Sequence, residues 1–325
     1  MQWLINGDDM TKLKTALVVS WPAVDAQVGP FSSFEAQAIK ELAGVAGFKP
    51  DVILTAYPTY VAKWPTLFER DRIGAPALPA VAAARDQLIA ALEGYDIALT
   101  MGPHAMWALT GEVKIDTFRG THIDSPYVDS LQVVPTYAPE LFCRLAWNER
   151  PIVVAAMRKA TRRFVDTPKA IYMPDTVADL YAFATEHIKN EIAFDVETNM
   201  GCRITEFSLA TSPHACLYVQ LETRDNKSLW SEQDELQIML WLQFLAQRKD
   251  ITWIMHNASY DLTYLDQVGI RPAGHIADTM LRHHSWQPEF EKSLGFLAAL
   301  HVPCRAWKML RTRAKKDFNK AGSLE

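Results

Sequence analysis

Four short runs of consecutive apolar residues punctuate the first half of the chain. They are TALVVS (Thr15 to Ser20), DVILTA (Asp51 to Ala56), YDIALT (Tyr95 to Thr100) and LQVVPT (Leu131 to Thr136). Unbroken rather than alternating apolar character predicts strands buried on both faces of a parallel sheet. Between the first three runs lie SFEAQAIKELAGVAG and ALPAVAAARDQLIAALEG, whose apolar positions recur at helical spacing. Strands alternating with covering helices predict an N-terminal three-layer α/β/α domain. A basic stretch and then FVDTPKAIYMP, with Pro168 and Pro174, read as a linker. The boundary falls near residue 165, giving domains 1–164 and 165–325, as a chain of 325 residues warrants.

The second half is patterned differently. A helix over DTVADLYAFATEHIKN precedes three strand candidates in a row, EIAFDVET, ITEFSLATS and ACLYVQLE. A helix (SEQDELQIMLWLQFLAQ), a strand (ITWIMHN) and a helix (ASYDLTYLDQVG) follow. The order β-β-β-α-β-α predicts a mixed sheet that opens with an antiparallel meander.

Composition narrows the class. Apolar residues are 49% and charged residues 22% of the chain, the balance of a globular α/β protein. No apolar run reaches membrane-spanning length, and MQWLINGDDMTK lacks the layout of a secretory leader. Four scattered cysteines form no CxxC pair, so the expected setting is a reducing cytoplasm without disulfides or zinc. A net charge of −5 does not mark a general nucleic-acid binder. Two stretches stay basic all the same, MRKATRR (Met157 to Arg163) and RAWKMLRTRAKK (Arg305 to Lys316). In the second, Lys308, Arg311 and Lys315 recur at helical steps, so it reads either as a solvated helix face or as a basic patch beside an acidic metal site.

The candidate chemistry starts in EIAFDVET. Alternate residues of a strand share a face, so Asp195 and Glu197 stand side by side with Val196 turned the other way. Two neighbouring carboxylates repel, and a divalent cation relieves that; Mg²⁺ takes one or two carboxylates together with water and phosphate oxygens. With 38 acids in the chain, an acid-x-acid pattern alone is weak, and a third carboxylate is required. Asp261 supplies a candidate, in the first turn of the helix after ITWIMHN, where it also suits the helix dipole. Asp278 reads as an N-cap, and the adjacent His283 and His284 face apart on a helix.

FDVET, HNASYDLTYL, ADTMLRHH and KSLGFLAAL, in this order, resemble the 3′–5′ exonuclease domain of family A DNA polymerases. Those domains are DnaQ-like (DEDD) nucleases of ribonuclease H-like fold, and the resemblance covers about Thr167 to Glu325. It implies that Asp195, Glu197 and Asp261 hold two Mg²⁺ or Mn²⁺ ions, one activating water and one stabilising the leaving 3′-oxygen. It implies further that Thr198 touches the terminal nucleotide and that Asn257 and Tyr260 hold a single-stranded DNA 3′ end. Tyr260 read without the resemblance is equally a core aromatic. RNA as substrate remains open on these residues.

The family's third motif, a Tyr or His followed by a final Asp on one helix, has no counterpart here. After Asp278 comes Asp317, with Arg313 and Thr312 where the Tyr or His would stand. The expectation is a piece of a longer polypeptide that continues into that motif and a polymerase domain, in a bacteriophage replication enzyme by the same resemblance.

The first half resembles the uracil-DNA glycosylase superfamily, on VGPFSSFEAQAIKELAGVAGF, LTMGPHAMWALTG, FRGTHI and VVPTYAPELFCR. The resemblance implies a pocket that stacks a flipped base on an aromatic, with Phe31 or Phe34 as platform or core residue. SWPAVD stands where that family has a Gly-rich acidic loop, and Ala138 where it has a histidine. The expected reading is a non-catalytic glycosylase-like domain ahead of a proofreading exonuclease. The alternatives are a working glycosylase or a single-strand-binding module without catalysis.

Overall fold

The computed structural model describes residues 13–69, 72–145, 147–199, 203–223 and 225–306. The chain divides into two compact units. One groups the residues up to Val165 with those from Gly295 onward, and the other is Asp166–Leu294.

In the first unit the strands are β1 (Thr15–Val19), β2 (Val52–Thr55), β3 (Phe68–Glu69), β4 (Arg72–Pro76), β5 (Ile97–Met101), β6 (Ile123–Asp124) and β7 (Gln132–Thr136). The helices are α1 (Ser33–Ala46), α2 (Pro79–Ala91), α3 (Pro103–Thr110), α4 (Ile115–Phe118) and α5 (Arg150–Lys159). The main sheet has the order β2-β1-β5-β7-β6, parallel except for the edge strand β6. The apolar runs β1, β5 and β7 are buried at every position, as strands covered on both faces must be. α1 starts on a capping box in which Ser32 and Glu35 satisfy each other's backbone N–H, and it stops at Gly47 in the left-handed conformation.

His104 is fully buried in this core, ringed by Trp21, Tyr57, Phe68 and Trp107, the last stacked at 5.1 Å. Neither of its ring nitrogens has a hydrogen-bond partner among the described residues, and the same holds for the buried His122. Burial, and then the charge of Arg85, lower the His104 pKa to about 4. Burial, then Lys159 and Arg305, against the pull of Asp124, bring His122 to about 4 as well. Unfolding frees each imidazole to bind a proton near pH 6.5, so the unfolded chain binds more protons between 6.5 and 4. Stability is therefore expected to fall as pH drops through that window, by about 3 kcal/mol for each histidine. Urea midpoints at pH 7 and 4.5 check this, and His104→Phe should remove about half of the difference.

The basic stretch Met157 to Arg163 turns out to be mostly structural. Lys159 is buried, and its ammonium donates to the carbonyls of Gly120 (2.8 Å), Val302 (2.7 Å) and Ala299. Arg163 pairs with Asp96 and donates to the Ser130 carbonyl. Arg158 reaches the Val45 carbonyl. Lys159 thereby fastens the returning segment, whose Phe296, Leu297 and Ala299 are buried and whose Cys304 carbonyl accepts from His122 N–H. Gly120 has φ +70°, and a Cβ there would come within 2.6 Å of the Ala299 carbonyl oxygen, so a side chain is excluded at this approach.

In the second unit the strands are β8 (Ala170–Tyr172), β9 (Glu191–Thr198), β10 (Ile204–Ser212), β11 (Ala215–Gln220), β12 (Thr252–Met255) and β13 (His275–Asp278). The helices are α6 (Val177–His187), α7 (Glu232–Ala246), α8 (Ala258–Gln267) and α9 (Thr279–Trp286), with α10 (Leu294–His301) leading back to the first unit. The sheet order is β13-β12-β9-β10-β11-β8. β9-β10-β11 is the expected antiparallel meander, and β9, β12 and β13 run parallel. β8 lies in the stretch read as a linker: its three residues are all exposed and pair along the outer edge of β11. Flanking prolines suit an edge strand, which is why they mimic a linker in sequence. β9 alternates strictly, with Ile192, Phe194 and Val196 in the core and the charged residues on the open face. Phe194 meets Trp253 edge-on at 5.1 Å, over a core of Phe207, Leu209, Ile238, Trp241 and Leu242.

Candidate active site at the C-terminal edge of the second sheet

Because β9, β12 and β13 are parallel, their C-terminal ends lie along one edge of the sheet. That edge carries Thr198, Met255 and Asp278, and α8 begins there. Asp195 and Glu197 stand together on the exposed face of β9, as the alternation predicts. The first turn of α8 places Asp261 against them: the backbone N–H of Val196, the residue between the two acids, donates to Asp261 Oδ1 at 3.0 Å. Asp261 is buried, unlike the other two. Burial raises its carboxyl to about 6, and the charges of Asp195 and Asp278 add to this against the Val196 N–H.

Thr198 and Tyr260 also come together, their hydroxyls 2.7 Å apart. Tyr260 is 42% exposed, with its ring edge-on to Tyr264 at 4.8 Å, so it is no core aromatic. Asn257 ends the β12–α8 turn in the left-handed conformation (φ 66°) with an exposed side chain. Asp278 is an N-cap, as read from sequence, accepting from Met280 and Leu281 at the start of α9. Burial acts to raise its pKa, but four backbone N–H donors outweigh it and hold the carboxyl below the usual range. His283 is buried and stacked on Phe290 at 6.2 Å, while His284 is exposed, in keeping with their facing apart.

The pattern of single residues misses Glu206. Register sets it directly across from Glu197 on the neighbouring strand, where Tyr218 bonds to its carboxyl. That bond, with burial ahead of it, pushes the Tyr218 phenol up to about 12. Strand pairing, which a single sequence does not display, is the signal that would have found it.

All the donors here are hard oxygens, and the proximity of Asp195 to a buried Asp261 is the electrostatic conflict a divalent ion relieves, so the donor chemistry fits Mg²⁺ or Mn²⁺. The expected cage of three carboxylates is nonetheless not preformed. Among the described residues no group of three or more His, Cys, Asp or Glu is gathered closely enough to hold an ion. Ionised carboxylates repel one another, and Asp261 has its oxygen on a backbone N–H instead. Thr312, Arg313 and Asp317, at the place of the missing motif, lie outside the described residues, as does the basic stretch beyond Ala306.

In the first unit, a cleft of 480 Å³ is lined in part by Trp21, Tyr60, Lys63, Pro103, Ala138 and Glu140. Trp21 Nε1–H donates to Glu140 at 3.2 Å, and burial raises the Glu140 carboxyl. Phe31 is buried in the core and Phe34 is 55% exposed, and neither lines this cleft.

The second unit is an α/β domain with a mixed sheet and carboxylates at the C-terminal edge of its parallel strands. Residues 170–316 match the family described as 3′–5′ exonuclease, DNA_pol_A_exo1. No curated protein matches the chain. Among solved structures it is similar to Brucella melitensis NrnC, with 14% identity and a TM-score of 0.28, covering 40% of this chain and 57% of that one. The Aedes aegypti Nibbler EXO domain gives 17% identity and a TM-score of 0.30, covering 40% and 67%. The POL domain of Pol1 from M. smegmatis, in complex with DNA primer-template and dNTP, gives 19% and 0.34, covering 43% and 24%. The chain spans 57% of the length of NrnC.

Proposed function

We propose that this protein is a metal-dependent 3′–5′ exonuclease that removes nucleotides from single-stranded DNA 3′ ends, as the proofreading part of a family A DNA polymerase. The observation that carries this reading is the hydrogen bond from Val196 N–H to Asp261, which ties the third acid to the backbone between Asp195 and Glu197. The match over residues 170–316 supports the class of reaction. Asp195, Glu197 and Asp261 are the residues that would hold the ions. A bound divalent ion supplies an activated water and charge stabilisation for an in-line displacement. The chain's own part is positioning. The paired hydroxyls of Thr198 and Tyr260 give the terminal sugar a donor and an acceptor at the sheet edge, and the exposed Tyr260 ring offers a face to the terminal base. Asn257, exposed at the same turn, is the polar group for the neighbouring nucleotide.

The test is nucleotide release from a 3′-labelled single strand. Mononucleotides are expected with Mn²⁺ or Mg²⁺, and none with EDTA. Release from the 5′ end, or at equal rate in EDTA, would overturn the reading. A matched RNA strand run in parallel decides the sugar preference.

A further inference from the structure

We infer that Asp278 is a positioning residue for this site, because one buried carboxylate caps two helices at once and so sets where α8 begins. The inference rests on the exonuclease reading of the same edge and deepens it.

α8 carries both Tyr260 and Asp261 in its first turn, yet its own N-cap residue, Asn257, makes no side-chain cap bond. The cap comes from the neighbouring strand instead. Asp278 Oδ2 accepts from Ala258 N–H at 2.8 Å, and Oδ1 accepts from Asn257 N–H at 3.2 Å. The same Oδ1 accepts from Met280 at 2.8 Å and Leu281 at 3.2 Å, at the start of α9. Thr279 adds a second tie: its hydroxyl donates to the Met255 carbonyl at 3.1 Å and lies 2.9 Å from His256 Nδ1. Since the hydroxyl proton goes to Met255, His256 donates through Nδ1–H. Asp278 and Thr279 together therefore hold every residue from Met255 to Ala258. Asn257, left-handed at the end of this turn, supplies no side-chain cap of its own.

Charge-assisted bonds from backbone N–H are the strong kind, and they act where a small shift is felt most. Tyr260 and Asp261 lie two and three residues beyond Ala258, within the first turn. A displaced α8 start moves the Asp261 carboxyl relative to Asp195 and Glu197 and the Tyr260 hydroxyl relative to Thr198.

Asp278→Asn in the full chain separates the two roles. An amide oxygen kept on the three Oδ1 donors preserves the α9 cap but turns an NH₂ toward Ala258 N–H. Backbone hydrogen exchange at Ala258 is expected to rise at least about tenfold, while Met280 and Leu281 stay protected. The Mn²⁺ concentration for half-maximal nucleotide release is expected to rise about tenfold, with kcat falling. Ser231→Ala, which removes the N-cap of α7, should lower stability and leave the Mn²⁺ dependence as it was. Unchanged exchange at Ala258 overturns the inference, and so does lost protection there with parent-like Mn²⁺ dependence and kcat. If the parent chain releases no nucleotide, the exonuclease reading falls. Exchange at Ala258 and Mn²⁺ binding followed by electron paramagnetic resonance then still decide the role of Asp278.

Discussion

Asp195→Ala is expected to reduce nucleotide release about 10²- to 10³-fold, the range seen when one electrostatic contact to a reacting centre is removed. The side chain is exposed on β9, so the loss should come without unfolding. Indeed the substitution removes a charge that raises the Asp261 carboxyl, and the melting temperature is expected to hold or rise slightly. Asp261→Ala should lose as much activity but at a structural cost. It leaves the Val196 N–H buried without its acceptor, worth about 1–3 kcal/mol. The pair of variants, compared on a 3′-labelled strand in Mn²⁺, therefore separates chemistry from folding. An Asp195→Ala protein that cuts at the parent rate would remove Asp195 from the site.

The largest effect on stability is expected from Trp253→Ala. Trp253 has no exposed surface, sits centrally on β12 and braces Phe194 of β9 edge-on. Truncating a buried Trp costs about 3–5 kcal/mol, because the emptied volume is only partly refilled. That is a large share of the roughly 5–15 kcal/mol that holds a typical domain together. The strands that Trp253 joins also carry Asp195 and the start of α8, so activity should fall with stability. Urea unfolding followed by near-ultraviolet circular dichroism measures the loss, and Trp253→Phe should recover more than half of it. A midpoint shift of less than about 1 kcal/mol equivalent would mean that β9 and β12 are not packed as described.

Much of this architecture is legible in single residues and short spacings. The fully apolar β1, β5 and β7 announce a covered parallel sheet. The strict alternation of β9 by itself puts Asp195 and Glu197 on one face. Asp261 follows from a strand, a polar turn and a helix start in ITWIMHNASYDL. What the sequence hides is what depends on partners far along the chain. β13 is a four-residue strand flanked by GIRPAG, too short for a period to register, and it exists because β12 lies beside it. Glu206 becomes a neighbour of Glu197 only through register. Lys159 looks like one more charge in a basic run, and only the carbonyls of Gly120, Ala299 and Val302 give it its role. Asp278 is recognisable as the cap of its own helix, but its second helix is supplied by the fold.

The anchorage made by Lys159 bears on how this molecule divides. The family match runs on to residue 316, whereas the compact second unit closes at Leu294. Seen along the chain, that unit is an insert, its entrance and exit strung from two points of the same host. A fragment trimmed to the family limits would carry Phe296, Leu297 and Ala299 away from the carbonyl-and-ammonium clasp that buries them, baring a greasy helix to water. Dissection at Val165 and Leu294 follows the grain of the packing instead.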